Sequence, residues 1–231
     1  MWENKKKAVT FSYDDGVGQD IRLSEIFNEY GLKCTFNINS GLIGTGASWT
    51  HKGGAVSTRQ DLATLKKVYK GHEVAVHGYS HANLEKASYE EALKEIQCDK
   101  DQLEKWFETP MLGMAYAFGT YNPNVLDAVK DCGLHYARTV KSSLNFKLPE
   151  KPLELCATCH HDDEKLFELA DTFLAAEPKE PMLFYIWGHS YEFDGNNNWD
   201  MIKKFCKKIA GHSDVYYCTN AQALLPAGEA L

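Results

Sequence analysis

Apolar residues fall along the chain in two alternating rhythms. Short runs rich in Val, Phe, Tyr and Thr, most of them bounded by turn or polar residues, predict strands over residues 8–13, 33–39, 73–77, 112–118, 134–140, 153–159, 182–187 and 214–219. Between them, helical spacing predicts helices over 20–30, 58–70, 88–107, 122–131, 162–175 and 198–209. Ser88 with Glu91 makes a capping-box pattern at the start of the third helix, and Gly31 and Gly71 stand where a left-handed C-cap is expected. Strand–helix alternation implies parallel pairing, because each helix carries the chain back across the sheet. The expected fold is therefore α/β, an irregular (β/α) barrel of about seven to eight parallel strands. The link from 134–140 to 153–159 is too short and Pro-broken for a full helix, and 41–54 is a long Gly/Ser/Thr stretch suited to a rim loop. No linker, repeat or low-complexity segment interrupts the pattern, so residues 1–231 are expected to form one domain.

Composition narrows the function classes. A hydrophobic fraction of 44% with 25% charged residues is that of an ordinary globular protein. A net charge of −7 with scattered Lys and Arg gives no nucleic-acid footprint. Apolar runs such as 181–187 are far too short to span a bilayer, so no membrane partner is expected. The N-terminus lacks the apolar core of a secretory signal. Seven cysteines, an odd number without framework spacing, read as reduced thiols, and the two observations together point to the cytoplasm. Oligomeric state is left open.

In such a barrel, reactive groups gather where strands end and loops begin. Asp14 and Asp15 end the first predicted strand and His77 the third; Phe118-Gly119, His160-His161 and Gly188-His189 end later ones. Adjacent carboxylates after an apolar strand repel unless a cation offsets them, although Asp-Asp-Gly is equally a turn sequence. His77-x-x-x-His81 is either a core histidine with a surface one or a pair able to share an ion. Joined to Asp15, it makes a two-His, one-carboxylate set suited to Zn²⁺, or to Co²⁺, Ni²⁺ or Mn²⁺, with positions left open. Cys156-Ala-Thr-Cys159-His160 matches a haem-attachment or redox pattern, but its alternation fits a strand carrying a buried Cys, with His160 lining the pocket. Tyr191, Glu192 and Trp199 form a polar, aromatic loop able to contact a sugar ring or simply to pack as a structured loop. Lys203, Lys204, Lys207 and Lys208 read as a solvated helix face.

The ordered set Asp-Asp-Gly, then His-Gly-Tyr-Ser-His81, then Ile186-Trp-Gly-His189 resembles the polysaccharide deacetylase family, the NodB homology domain of carbohydrate esterase family 4, in a divergent form. The resemblance implies a NodB-like barrel and a metal-dependent hydrolase that removes N- or O-linked acetyl groups from an acetylated sugar or glycan. It implies Asp14 as general base, Asp15, His77 and His81 as metal ligands, and His189 as general acid. Residues 114–122 resemble the family's third motif, which puts the Phe118 N–H at the oxyanion and Tyr116 at the pocket, with Trp187 as an apolar wall. The motif's arginine aligns with Ala115, so Arg138 either supplies that charge from the next strand or is a surface residue. The fourth motif is not recognisable, and Asp162 or Asp163 is the candidate for orienting His189. Other readings that keep this fold are hydrolysis of another non-peptide C–N bond and a catalytically silent carbohydrate-binding domain.

Overall fold

The computed structural model describes residues 2–51 and 53–226. Strands β1 (Lys7–Asp14), β2 (Cys34–Ile38), β5 (Glu73–Val76), β6 (Gly113–Ala115), β7 (Tyr136–Ser142), β8 (Leu155–Ala157), β9 (Cys159–His160) and β10 (Met182–Gly188) pair in parallel in the order β8-β7-β6-β5-β2-β1-β10-β9. β11 (Val215–Tyr217) adds to the first half of β1. Around this sheet lie α1 (Asp20–Glu29), α2 (Leu62–Val68), α3 (Tyr89–Phe107), α4 (Pro123–Asp131), α5 (Leu166–Ala175) and α7 (Trp199–Ile209), with short α6 (Glu192–Gly195) and α8 (Asn220–Leu224). The Ser88–Glu91 capping box is present on α3, and Gly31 and Gly71 have φ of 67° and 84°. No helix among the described residues is long and apolar enough to cross a membrane.

The two ends of the sheet are consecutive in the chain. The predicted strand 153–159 divides at Thr158: β8 pairs with β7, whereas β9 pairs with β10. Thr158 stitches the seam, donating its N–H to Tyr185 (2.8 Å) and accepting the Leu144 N–H (2.9 Å). The sheet is thus closed into an irregular barrel, as the alternation implied.

Period-two alternation in β1 sorts its side chains between two environments. Val9, Phe11 and Tyr13 join the large core under the helices. Thr10, Ser12 and Asp14 face the lumen, where Ser12 meets Asn37 of β2 (2.9 Å) and Arg138 of β7 (3.3 Å). β1 and β7 are not neighbours in the sheet, so this contact spans the lumen. Lower down, Asn220 opens α8 and plugs the barrel by bonding Thr10 and Tyr185. A polar, hydrogen-bonded lumen satisfies most buried groups that an apolar core could not.

Two predicted helices begin later than their spacing suggested. Residues 56–58 are not helical but form β4 (Val56–Thr58), paired in an antiparallel hairpin with β3 (Ser48–Thr50) inside the expected rim loop. Asp61 then caps α2 by accepting the Thr64 N–H, and a local cap outweighs upstream periodicity. Residues 162–165 are a turn, so α5 starts at Leu166.

Candidate active site

The C-terminal ends of β1, β5 and β10 converge at one mouth. Asp14 is the last residue of β1, and the parallel register places Tyr13 beside Gly188. His77 follows β5, His189 follows β10, and Arg138 reaches across from β7. Asp15, His81 and Phe118 all carry positive φ (91°, 59° and 57°). Strain of about 1–3 kcal/mol at each such position persists only where surrounding structure enforces it, and here it collects around one point.

The two aspartates are braced separately. Arg138 is buried, donates to Asp14 Oδ1 at 2.6 Å and lies 4.5 Å over the face of Trp187. Asn37 adds a bond to the same oxygen (2.8 Å). Burial alone would raise the Asp14 carboxyl, but Arg138, His77 and His189 hold it below the ordinary carboxylate range. Of the two readings of Arg138, the buried brace is the one observed. Asp15 has its own arginine. Arg59, just beyond β4, donates to Asp15 Oδ1 (2.9 Å) and to the Asp15 carbonyl, while its guanidinium lies 5.1 Å over Trp49. Burial opposes ionisation of Asp15 too, yet Arg59 and the three histidines bring it to about 2. Arg59 escaped the sequence reading because it sits in a segment read as the start of a helix.

The histidines are placed where they could hold an ion. His77 Nδ1 lies 2.8 Å from the Ala115 carbonyl, so it carries the hydrogen and leaves the Nε2 lone pair free. That Nε2 is buried with no hydrogen-bond partner among the described residues, 3.8 Å from Asp15 Oδ1. His81 Nε2 lies 3.5 Å from the same oxygen. Ligands about 2.1 Å from a tetrahedral ion stand roughly 3.4 Å apart, so these spacings fit one. Burial lowers His77, and burial with His77 beside it brings His81 down to about 4, so both are neutral near pH 7. Asp99, buried in α3, fixes the approach by accepting the Ser40 N–H (2.6 Å) and the His77 N–H (2.9 Å).

Several sequence expectations are redirected. Tyr116 does not line the pocket: its ring stacks on Tyr121 and its hydroxyl donates to Leu153 (2.9 Å). Phe118 is at the rim, 58% exposed and edge-on to His81. Trp187 is buried between Arg138 and His160. Asp162 does not orient His189, being held by Asn196 and Asn198, and Asp163 caps the turn at Lys165. Trp199 is buried and donates to Asp194 (2.7 Å), the packed-loop alternative. Glu192 Oε2 accepts the His189 N–H and lies 3.1 Å from His160 Nε2. His160, His161 and Glu192 lie close enough to suggest a second ion. However, His160 Nδ1 accepts the Asp162 N–H (3.2 Å), so Nε2 carries its hydrogen toward Glu192 and offers no lone pair. Gly188 has no substitute in this arrangement, since a Cβ there would stand 2.0 Å from His161 Nδ1.

The polysaccharide deacetylase model matches residues 2–137, more than half of the chain. No curated protein matches it. Among solved structures, a family 4 acetyl xylan esterase from Clostridium thermocellum, in complex with a cobalt ion, has a TM-score of 0.57 at 14% identity, over 94% of this chain and 89% of that one. A family 4 pseudoenzyme from Bacillus anthracis has a TM-score of 0.55 at 16% identity, over 96% of this chain and 66% of that one. The deacetylase PplD of Streptococcus pyogenes, in complex with acetate, has a TM-score of 0.51 at 23% identity over 57% of this chain; the match spans 55% of its own length. At these identities the structural likeness speaks to the fold, and the sequence model carries the assignment: the chain belongs to the polysaccharide deacetylase family.

Proposed function

We propose that the chain is a metal-dependent hydrolase that removes acetyl groups from an acetylated carbohydrate. The observation that carries this reading is the His77 and His81 pair, whose Nε2 atoms lie 3.8 and 3.5 Å from Asp15 Oδ1, beside a second carboxylate, Asp14, with its own brace. Asp15, His77 and His81 would hold the divalent ion, with Zn²⁺ the best match and Co²⁺, Ni²⁺ or Mn²⁺ compatible. When bound, such an ion polarises a carbonyl and acidifies water. Asp14 accepts the proton of the attacking water, and Arg138 keeps Asp14 ionised and aimed for that step. The Phe118 N–H is the donor assigned to the developing oxyanion. His189, whose Nε2 lies 3.8 Å from Asp14 Oδ2, gives its proton to the departing nitrogen or oxygen. Asp14 and His189 are proton-transfer groups that a silent binding domain does not need.

The test joins metal analysis to acetate release from chito-oligosaccharides, acetylated xylan and small acetylated sugars. The purified protein should bind one divalent ion at this set and release acetate from at least one of these substrates. His77→Ala/His81→Ala should lose both properties. Ion binding that survives the double substitution would sink the ligand assignment. Arg59→Met should weaken ion affinity by about 10–100-fold, because the group orienting the Asp15 carboxylate is gone; competition with a chelator measures it, and unchanged affinity would make Arg59 a packing residue only.

A further inference from the structure

Glu192 lies three residues beyond His189, and the first turn of α6 brings its carboxylate back over the His189 backbone. Its Oε2 accepts the His189 N–H at 2.9 Å. The same oxygen lies 3.3 Å from His189 Nδ1, 3.1 Å from His160 Nε2 and 3.5 Å from His161 Nε2. The Nδ1 contact is an ion pair off the line of an ideal hydrogen bond, a geometry that catalytic pairs tighten when substrate arrives. Across the ring, Nε2 faces Asp14. An imidazole with a carboxylate against Nδ1 has one favoured neutral form, with hydrogen on Nδ1 and the lone pair on Nε2 toward the site.

We propose that Glu192 is the positioning residue of His189, setting its tautomer and stabilising its charged form, with His160 holding Glu192 in turn. The proposal rests on the reading of His189 as general acid. Other groups face His189 as well. Asp14 and Asp15 lie at the end of β1, His160 and His161 at the end of β9, and His77 beyond Asp14. Tyr191 stacks on its ring with His51 of the hairpin behind, and Trp187 separates it from Arg138. Among the described residues, Glu192 alone sets a carboxylate against Nδ1. Burial by itself would lower His189, but Glu192, then Asp14 and Asp15, push it up to about 9.

Nitrogen NMR of labelled imidazoles reads tautomer and titration without reference to turnover, and the pH dependence of kcat reads the acid. In the unmodified protein, Glu192 should hold the His189 midpoint above the ordinary histidine value of about 6.5, with hydrogen on Nδ1 when the ring is neutral. The protonated ring is the active form, so kcat should hold below that midpoint and fall as pH rises through it. Glu192→Gln, which keeps the shape, should move both midpoints down by a pH unit or more, leaving bound ion and KM unchanged. Asp14, which still faces Nε2, should keep the midpoint from falling further. Glu192→Asp should fall between the two. An NMR midpoint unmoved in Glu192→Gln, or loss of bound ion in that variant, would overturn the proposal. A midpoint that moves while the kinetic limb stays fixed would instead sink the reading of His189 as the acid.

Discussion

Asp14→Asn is expected to lower kcat by about 10²–10⁴-fold, the range that a positioned general base contributes. The amide keeps the shape of the carboxylate and its oxygen still accepts from Asn37 and Arg138, but the second Arg138 contact, to Oδ2, is lost and the guanidinium charge is left uncompensated, so the variant should fold with reduced stability. What it loses is the capacity to take a proton. Asp15, His77 and His81 are untouched, so the bound ion should remain at full occupancy, and KM should change little. Steady-state kinetics beside metal analysis separates these outcomes. A variant that keeps more than about a tenth of the activity would assign proton removal to another group, because a base of this kind contributes at least 10²-fold.

Arg138→Met should produce the largest loss of stability. Removing one partner of a buried ion pair leaves the other charge uncompensated, at a cost of about 3–5 kcal/mol. Asp14 and Arg138 are both almost fully buried, so solvent cannot replace the lost contact. The double variant Arg138→Met/Asp14→Asn should recover much of that loss, since no orphan charge remains. Chemical denaturation midpoints of the two single variants and the double one measure the coupling, and simple additivity would refute it. The pH sign follows from Asp14 being held below its ordinary value. The pair's stabilisation is fully present above about pH 4 and disappears only as pH falls through the folded pKa.

Much of the site could be read from the sequence because the chemistry sits at strand ends. Asp14, Asp15, His77 and His189 each close a run whose β character is plain, and barrel geometry then brings the runs to one mouth. For Arg138, alternation around Ala137 gives an inward face but not the depth of burial. Arg59 offered less. A lone cation just beyond a short hairpin has no strand pattern to betray it, and its partner is 44 positions away. Glu192 is visible as His-x-x-Glu, but an isolated carboxylate in the sequence does not announce three histidine neighbours. The Thr219–Gln222 capping box of α8 was legible and unread. The division of strand 153–159 could not have been found locally, because alternation describes a strand's faces and says nothing about which neighbour takes each half.

The seam at Thr158 also fixes an order of events during synthesis. β10 lies between β1 and β9 in the sheet yet follows both in the chain. Until Met182–Gly188 emerges, those two strands present unpaired edges across an open gap, whatever helices have already packed outside. Open edges are templates for pairing with other chains. β10 therefore acts as the keystone of the barrel: until it is made the β1 margin stays open, and a chaperone that shields the nascent protein would be needed longest along β1.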